Sequence, residues 1–77
     1  MEVHFTYYGR LAEITGKTSE TLSTQGDTVK DLKALLGKQY PALLEMTFTL
    51  AANHSVLGDE DKLNTNQVDV FPPFSGG

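Results

Sequence analysis

Gln67-Val68-Asp69-Val70-Phe71-Pro72-Pro73-Phe74-Ser75-Gly76-Gly77 is the stretch around which the chain is organised. Its first five residues alternate between apolar and polar, as a half-buried strand does. On that register Val68 and Val70 face the core, and Asp69 and Phe71 face away from it. Neither Pro72 nor Pro73 can donate an N–H to a sheet ladder, so the strand stops there. The prolines also hold the exit segment extended. Gly76 and Gly77 carry no side chain, and such an end can thread a narrow channel in which any Cβ would clash. Six extended residues reach roughly 20 Å at about 3.3 Å each. The expectation is a single domain, globular over residues 1–72, with residues 73–77 as an extended tail tipped by a bare carboxylate. A frayed terminus is the competing reading. Phe71, facing outward, is expected either to anchor a partner or to pack on local side chains. Phe74, inside the tail with no core to enter, is expected to fill a pocket in a partner.

Working back from this stretch, the chain reads as strands around one long helix. Glu2 to Tyr8 alternates, with Val3, Phe5 and Tyr7 on one face and His4, Thr6 and Tyr8 on the other. Arg10 to Thr15 is predicted as a short helical turn closed by Gly16. Thr18 to Thr24 is rich in β-branched residues and predicts a second strand, ended by Gln25-Gly26. Asp27 or Thr28 caps the main helix, and Asp31 stands in a capping-box position. Val29, Leu32, Leu35 and Leu36 fall on one stripe, and Pro41 forbids continuation past Tyr40. Pro41 to Glu45 is expected to form a loop or single turn over Leu43 and Leu44. Thr47 to Asn53 predicts a third strand, and Asn53-His54 a tight turn into Ser55-Val56-Leu57. The order strand, strand, helix, strand, strand gives an α+β fold, one mixed sheet wrapped across one main helix.

Composition narrows the function classes. The chain has 77 residues, no cysteine and a formal net charge of −4, and its six basic residues are spread singly. A domain of this size buries only about 60% of its unfolded surface, so a partner that covers apolar area would help it. Without cysteine there is no disulfide, thiolate zinc site or thiol nucleophile. Nucleic-acid binding needs a clustered positive field and is not expected. No run of apolar residues approaches membrane-spanning length, and Met1-Glu2-Val3-His4 starts a strand and not a leader, so the expected location is cytoplasmic.

A self-contained enzyme needs a nucleophile, an acid–base pair or a metal in a cleft. His4 and His54 stand in unrelated contexts, and Asp59-Glu60-Asp61 lacks the spacing of a calcium loop. No metal site is expected. The remaining candidate for chemistry is the Gly77 carboxylate, a poor electrophile until it is activated.

Val70-Phe71-Pro72-Pro73-Phe74-Ser75-Gly76-Gly77 resembles the carboxyl end of the small, sulfur-carrying subunit of molybdopterin synthase. That family groups with the thiamine sulfur carriers and ubiquitin in the β-grasp superfamily. Tyr8 to Gly16 is similar to the family's first strand and short helix, and the resemblance spans nearly the whole chain. It implies a ubiquitin-like β-grasp fold and a subunit that is not an enzyme by itself. It implies that Gly77 is adenylated with ATP on an activating enzyme similar to that of ubiquitin, with no cofactor held by this chain. A sulfur donor protein would then leave a thiocarboxylate at Gly77. The tail would deliver that sulfur to cyclic pyranopterin monophosphate within the synthase large subunit, in a heterotetramer. In this scheme Gly77 reacts and Gly76 allows threading. Phe71, Pro72, Pro73, Phe74 and Ser75 set reach, register and partner contact. Two alternatives share the activation chemistry: a sulfur carrier for another pathway such as thiamine, and a ubiquitin-like modifier joined to lysines through Gly77. A β-grasp interaction module with an inert terminus is the third class.

Overall fold

A computed structural model describes residues 1–73, and the expectations placed on Phe74, Ser75, Gly76 and Gly77 lie outside the described residues. Five strands form one mixed sheet: β1 (Glu2–Tyr7), β2 (Ser19–Ser23), β3 (Thr49–Ala52), β4 (Ser55–Val56) and β5 (Gln67–Phe71), in the spatial order β2-β1-β5-β3-β4. β1 and β5 run parallel, and the other neighbours are antiparallel. A short helix α1 (Arg10–Thr15) follows β1, and the main helix α2 (Val29–Gln39) crosses one face of the sheet. A 3-10 helix spans Pro41–Glu45.

Each element forms for a local reason. Gly16 closes α1 at φ 76°, a left-handed value that costs glycine nothing. Thr28 caps α2: its hydroxyl accepts from the Asp31 N–H, and the Asp31 carboxylate accepts from the Thr28 N–H. The next two amides of the helix are satisfied from outside, with Val29 N–H donating to the Asp61 carbonyl and Lys30 N–H to that of Asp59. The acidic loop therefore closes the helix terminus through its backbone. Pro41 ends the helix, as the sequence requires.

The core lies between the sheet and α2. Val3 and Phe5 from β1, Val29, Leu32 and Leu36 from α2, Leu50 from β3 and Val70 from β5 are fully buried, with Tyr7 and Val68 nearly so. Three expectations are corrected. Leu35 is half-buried and stands outside the core cluster, because the sheet covers a narrower arc of α2 than the apolar stripe occupies. Leu44 is 72% exposed, while Leu43 alone turns under the 3-10 helix. The third strand starts at Thr49 and not Thr47. Phe48 still reaches the core from the segment before it.

A polar cluster ties the edge strand to the end of the helix. Glu20 of β2 accepts from the Tyr7 hydroxyl (2.6 Å), the Tyr40 hydroxyl and Lys17 Nζ (3.0 Å). Burial pushes the Glu20 carboxyl up, but the donors Tyr40, Tyr7 and Lys17 outweigh that and hold it below the usual range. Burial first, then the hydrogen bond to Glu20 and its charge, pushes both tyrosines up, so their hydroxyls stay protonated donors.

Candidate functional site

β5 sits in the middle of the sheet, hydrogen-bonded to β1 on one side and β3 on the other. The strand that leads into the tail is therefore paired along both of its edges. Its register pairs Val70 with Tyr7 and Leu50, all buried, which turns Asp69 and Phe71 to the open face of the sheet. There Phe71 is half-buried and stacks on Tyr8, ring centroids 4.7 Å apart and planes within 10°. The Tyr8 hydroxyl donates to Asp69 Oδ1 at 3.2 Å, and the Tyr8 N–H donates to the Val70 carbonyl. Burial first, then the Asp69 carboxylate, pushes the Tyr8 phenol up. Val56, 65% exposed, pairs with Ala51 one strand further out, in the row of Asp69, while Thr49 stands beside Phe71.

Beyond Phe71 the chain leaves the sheet. Pro72 is half-buried and Pro73 exposed. Gly9 holds φ 56°, and a Cβ there would stand 3.5 Å from Pro72 Cγ, so the turn after β1 lies directly against the first proline. Pro73 borders a shallow depression of about 460 Å³ lined by Arg10, Ile14, Ala42, Glu45 and Met46. The base of the tail thus has an aromatic pair on one side and a mixed depression, with the chain's one arginine, on the other.

Of the residues singled out from the sequence, Phe71, Pro72 and Pro73 lie together at this exit. Phe71 faces outward as its alternation predicts, and it also packs locally, on Tyr8. Tyr8 and Arg10 are the neighbours that sequence reasoning did not join to the tail. Alternation places Tyr8 on the open face, but only the parallel pairing of β1 with β5 brings it beside Phe71. The histidines are not brought together: His4 on β1 pairs its Nδ1 with Thr21 Oγ1, and His54 occupies the β3–β4 turn. Asp59 is paired with Lys33 at 2.8 Å, and Asp61 accepts from the Gly58 N–H. Among the described residues no group of three or more His, Cys, Asp or Glu could hold a metal. No helix there is long and apolar enough to cross a membrane.

The sequence matches the ThiS family over residues 5–77, almost its full length. The chain belongs to the ThiS family. A search of curated proteins finds no match. Solved structures do match. A candidate molybdopterin converting factor subunit 1 of Pyrococcus furiosus superposes with a TM-score of 0.84 at 22% identity, covering 96% of this chain and 99% of the other. Small archaeal modifier protein 1 of Haloferax volcanii gives 0.78 at 22% identity, with 100% of both chains covered. Its counterpart from Methanosarcina acetivorans gives 0.76 at 25%, covering 99% and 96%. These likenesses establish the ubiquitin-like β-grasp fold. At the level of the family, this ThiS-family protein has the fold shared by small sulfur carriers and ubiquitin-like modifiers.

Proposed function

We propose that this protein is the sulfur-carrying subunit of a molybdopterin synthase and that Gly77 is its reacting residue. In this reading an activating enzyme joins the Gly77 carboxylate to AMP, consuming ATP and releasing pyrophosphate. A sulfur donor protein then displaces AMP and leaves a thiocarboxylate. The tail enters the large subunit and gives up its sulfur to cyclic pyranopterin monophosphate, toward the dithiolene of molybdopterin. Release and recharging supply the second sulfur. In this reading the catalytic side chains belong to the partners.

The observation that carries this reading is the placement of the tail's base. The central strand of the sheet runs straight into Pro72 and Pro73 beside an outward aromatic pair, in a chain whose remaining residues spell the ending that resembles the family's. A rigid base with adjacent apolar surface positions a short arm in a partner's active site, where errors near 1 Å can cost about a hundredfold in rate. The archaeal modifier proteins among the structural relatives favour a second reading, conjugation to lysines through Gly77.

The test combines purified activating enzyme, sulfur donor and large subunit with this chain. Intact mass is expected to show one oxygen replaced by sulfur at Gly77, and the pterin product to carry the dithiolene. Deletion of Gly77 is expected to abolish both. Full activity from a protein extended beyond Gly77, without trimming, would sink the mechanism. Lysine-linked conjugates in place of pterin product would select the modifier.

A further inference from the structure

The base of the tail is bounded by a turn that belongs to the other end of the chain. Tyr8 N–H donates to the Val70 carbonyl at 3.0 Å, just past the end of β1, so the turn after β1 starts where β5 ends. The helix α1 fixes the far side of that turn. Leu11 N–H donates to the Tyr8 carbonyl and Ala12 N–H to that of Gly9, both at 3.1 Å. Leu11 is fully buried, which pins α1 to the core. Half-buried Pro72 lies against Gly9 of this turn, and Pro73 borders the depression that Arg10 lines. Successive residues of the turn thus stand beside successive residues of the tail's base.

Gly9 gives the turn its shape. It holds φ 56° and ψ −130°. That pair lies close to the mirror image of polyproline II backbone, which glycine adopts freely and an L side chain does not. Space is not the constraint, because a Cβ there would meet Pro72 Cγ at 3.5 Å and Cδ at 3.8 Å, ordinary contact distances. The constraint is the backbone. Any other residue would turn the peptide to a different angle and move the wall on which Pro72 rests. Pro72 has a φ locked at about −65° by its ring. Phe71 and Pro72 each precede a proline and are confined to extended backbone. Few torsions remain by which the base of the tail can swing, and the Gly9 turn blocks one side of that swing.

We infer that Gly9 is a positioning residue, which aims the tail by holding the β1–α1 turn as a fixed wall against Pro72. It touches no reacting atom and acts only through Pro72. Its effect on rate rests on the sulfur-transfer reading above, whereas the wall itself does not. The lever is long. The five residues after Pro72 can span about 16 Å, so a swing of about 4° at the base moves such an end by about 1 Å. Errors of that size can cost about a hundredfold in rate. A partner's channel corrects part of the error, and a loss of about tenfold is expected from the wall alone.

The experiment uses the full-length protein, charged with sulfur at Gly77, in single turnover with a saturating excess of the large subunit. Gly9→Ala is expected to slow sulfur transfer about tenfold while the dissociation constant of the complex moves by less than about threefold. Pro72→Ala removes the wall's partner and should slow transfer similarly, and adding Gly9→Ala to it should cost less than about twofold more. A residue that only stabilised the fold would leave single-turnover transfer unchanged once the complex is saturated. A second measurement needs no sulfur. One-bond Cα–Hα dipolar couplings of Pro72 and Pro73, read on carbon-13-labelled protein in an aligned medium, should fit the orientation found here and shrink in Gly9→Ala. If Gly9→Ala does not fold, the rate and the Pro73 couplings of Pro72→Ala decide in its place, and wild-type values there would overturn the proposal. A loss in affinity alone, full additivity of the two changes, or wild-type couplings already averaged toward zero would also overturn it. A wild type that transfers no sulfur would defeat the functional reading and leave the couplings to decide the wall.

Discussion

His54 holds φ 65° directly after Asn53 at φ 52°, the two left-handed residues of a type I′ hairpin turn between β3 and β4. Asparagine tolerates that region, but a histidine there places its Cβ against the following carbonyl at about 1 kcal/mol or more. Glycine removes the clash and returns part of the gain as unfolded-state entropy. We predict that His54→Gly stabilises the protein by about 0.5 kcal/mol, read as a higher urea midpoint with unchanged slope. A lower midpoint would show that the imidazole makes a contact worth more than the backbone strain. Phe71 is the second residue whose role a single substitution separates. Its stack on Tyr8 is worth about 0.5–1.5 kcal/mol beyond area burial, so Phe71→Ala should cost the fold about 1 kcal/mol. If the open face docks the synthase large subunit, the same change should weaken binding by about 2 kcal/mol or more, near thirtyfold. Equal losses in folding and binding would leave Phe71 a packing residue alone.

Among the elements, α2 carries the core, and Leu32 is its fully buried centre. Leu32→Ala opens a cavity under the one long helix, and we predict a loss of about 2–5 kcal/mol in chemical denaturation. A change within about 0.5 kcal/mol, the range of surface positions, would contradict the packing described. Helix ends and strand alternation were legible in the sequence because each is a local signal: Thr28 with Asp31, Gly16, Pro41, and the valines of β5. Leu35 and Leu44 were misread because periodicity gives the angle of a side chain around its axis but not the width of the arc that a sheet covers. The same limit applied at the tail. Alternation within β5 put Phe71 on the open face. Its partner Tyr8 is 63 positions away (71 − 8), and only the parallel register of β1 with β5 joins them. Arg10 became a neighbour of Pro73 for the same reason. The ending itself was legible as a resemblance, since Pro-Pro-x-Ser-Gly-Gly is a contiguous pattern that needs no tertiary knowledge.

At the scale of the whole molecule one carboxylate links β1, β2 and the end of α2 beside the apolar core, and the acid stability should show it. Glu20 on β2 receives donors from β1 through Tyr7, from the end of α2 through Tyr40, and from Lys17 before β2. Burial alone would raise its pKa, yet these donors bring it below the usual carboxylate range. In the unfolded chain it returns to about 4.5, the value of a free glutamate side chain. The folded state therefore binds the proton less well than the unfolded state. The stabilisation is complete above that unfolded value and is lost as pH falls through the lower folded value. Asp31, held down chiefly by the Thr28 hydroxyl, and Asp59, held down by Lys33, act in the same direction on the surface. A wild-type acid limb alone would mix all three. Glu20→Gln keeps one acceptor oxygen for the two tyrosines, which share Oε2, and removes the charge, its titration and the acceptor that Lys17 uses. We predict that the variant is less stable than the wild type at pH 7, and that the difference shrinks steadily below pH 4.5 as wild-type Glu20 takes up its proton. The Asp31 and Asp59 contributions are common to both proteins and cancel in the subtraction. Urea unfolding followed at closely spaced pH values measures that difference directly. A gap that stays constant into the acid range would mean that the carboxylate is not the group on which the edge strand and the helix converge.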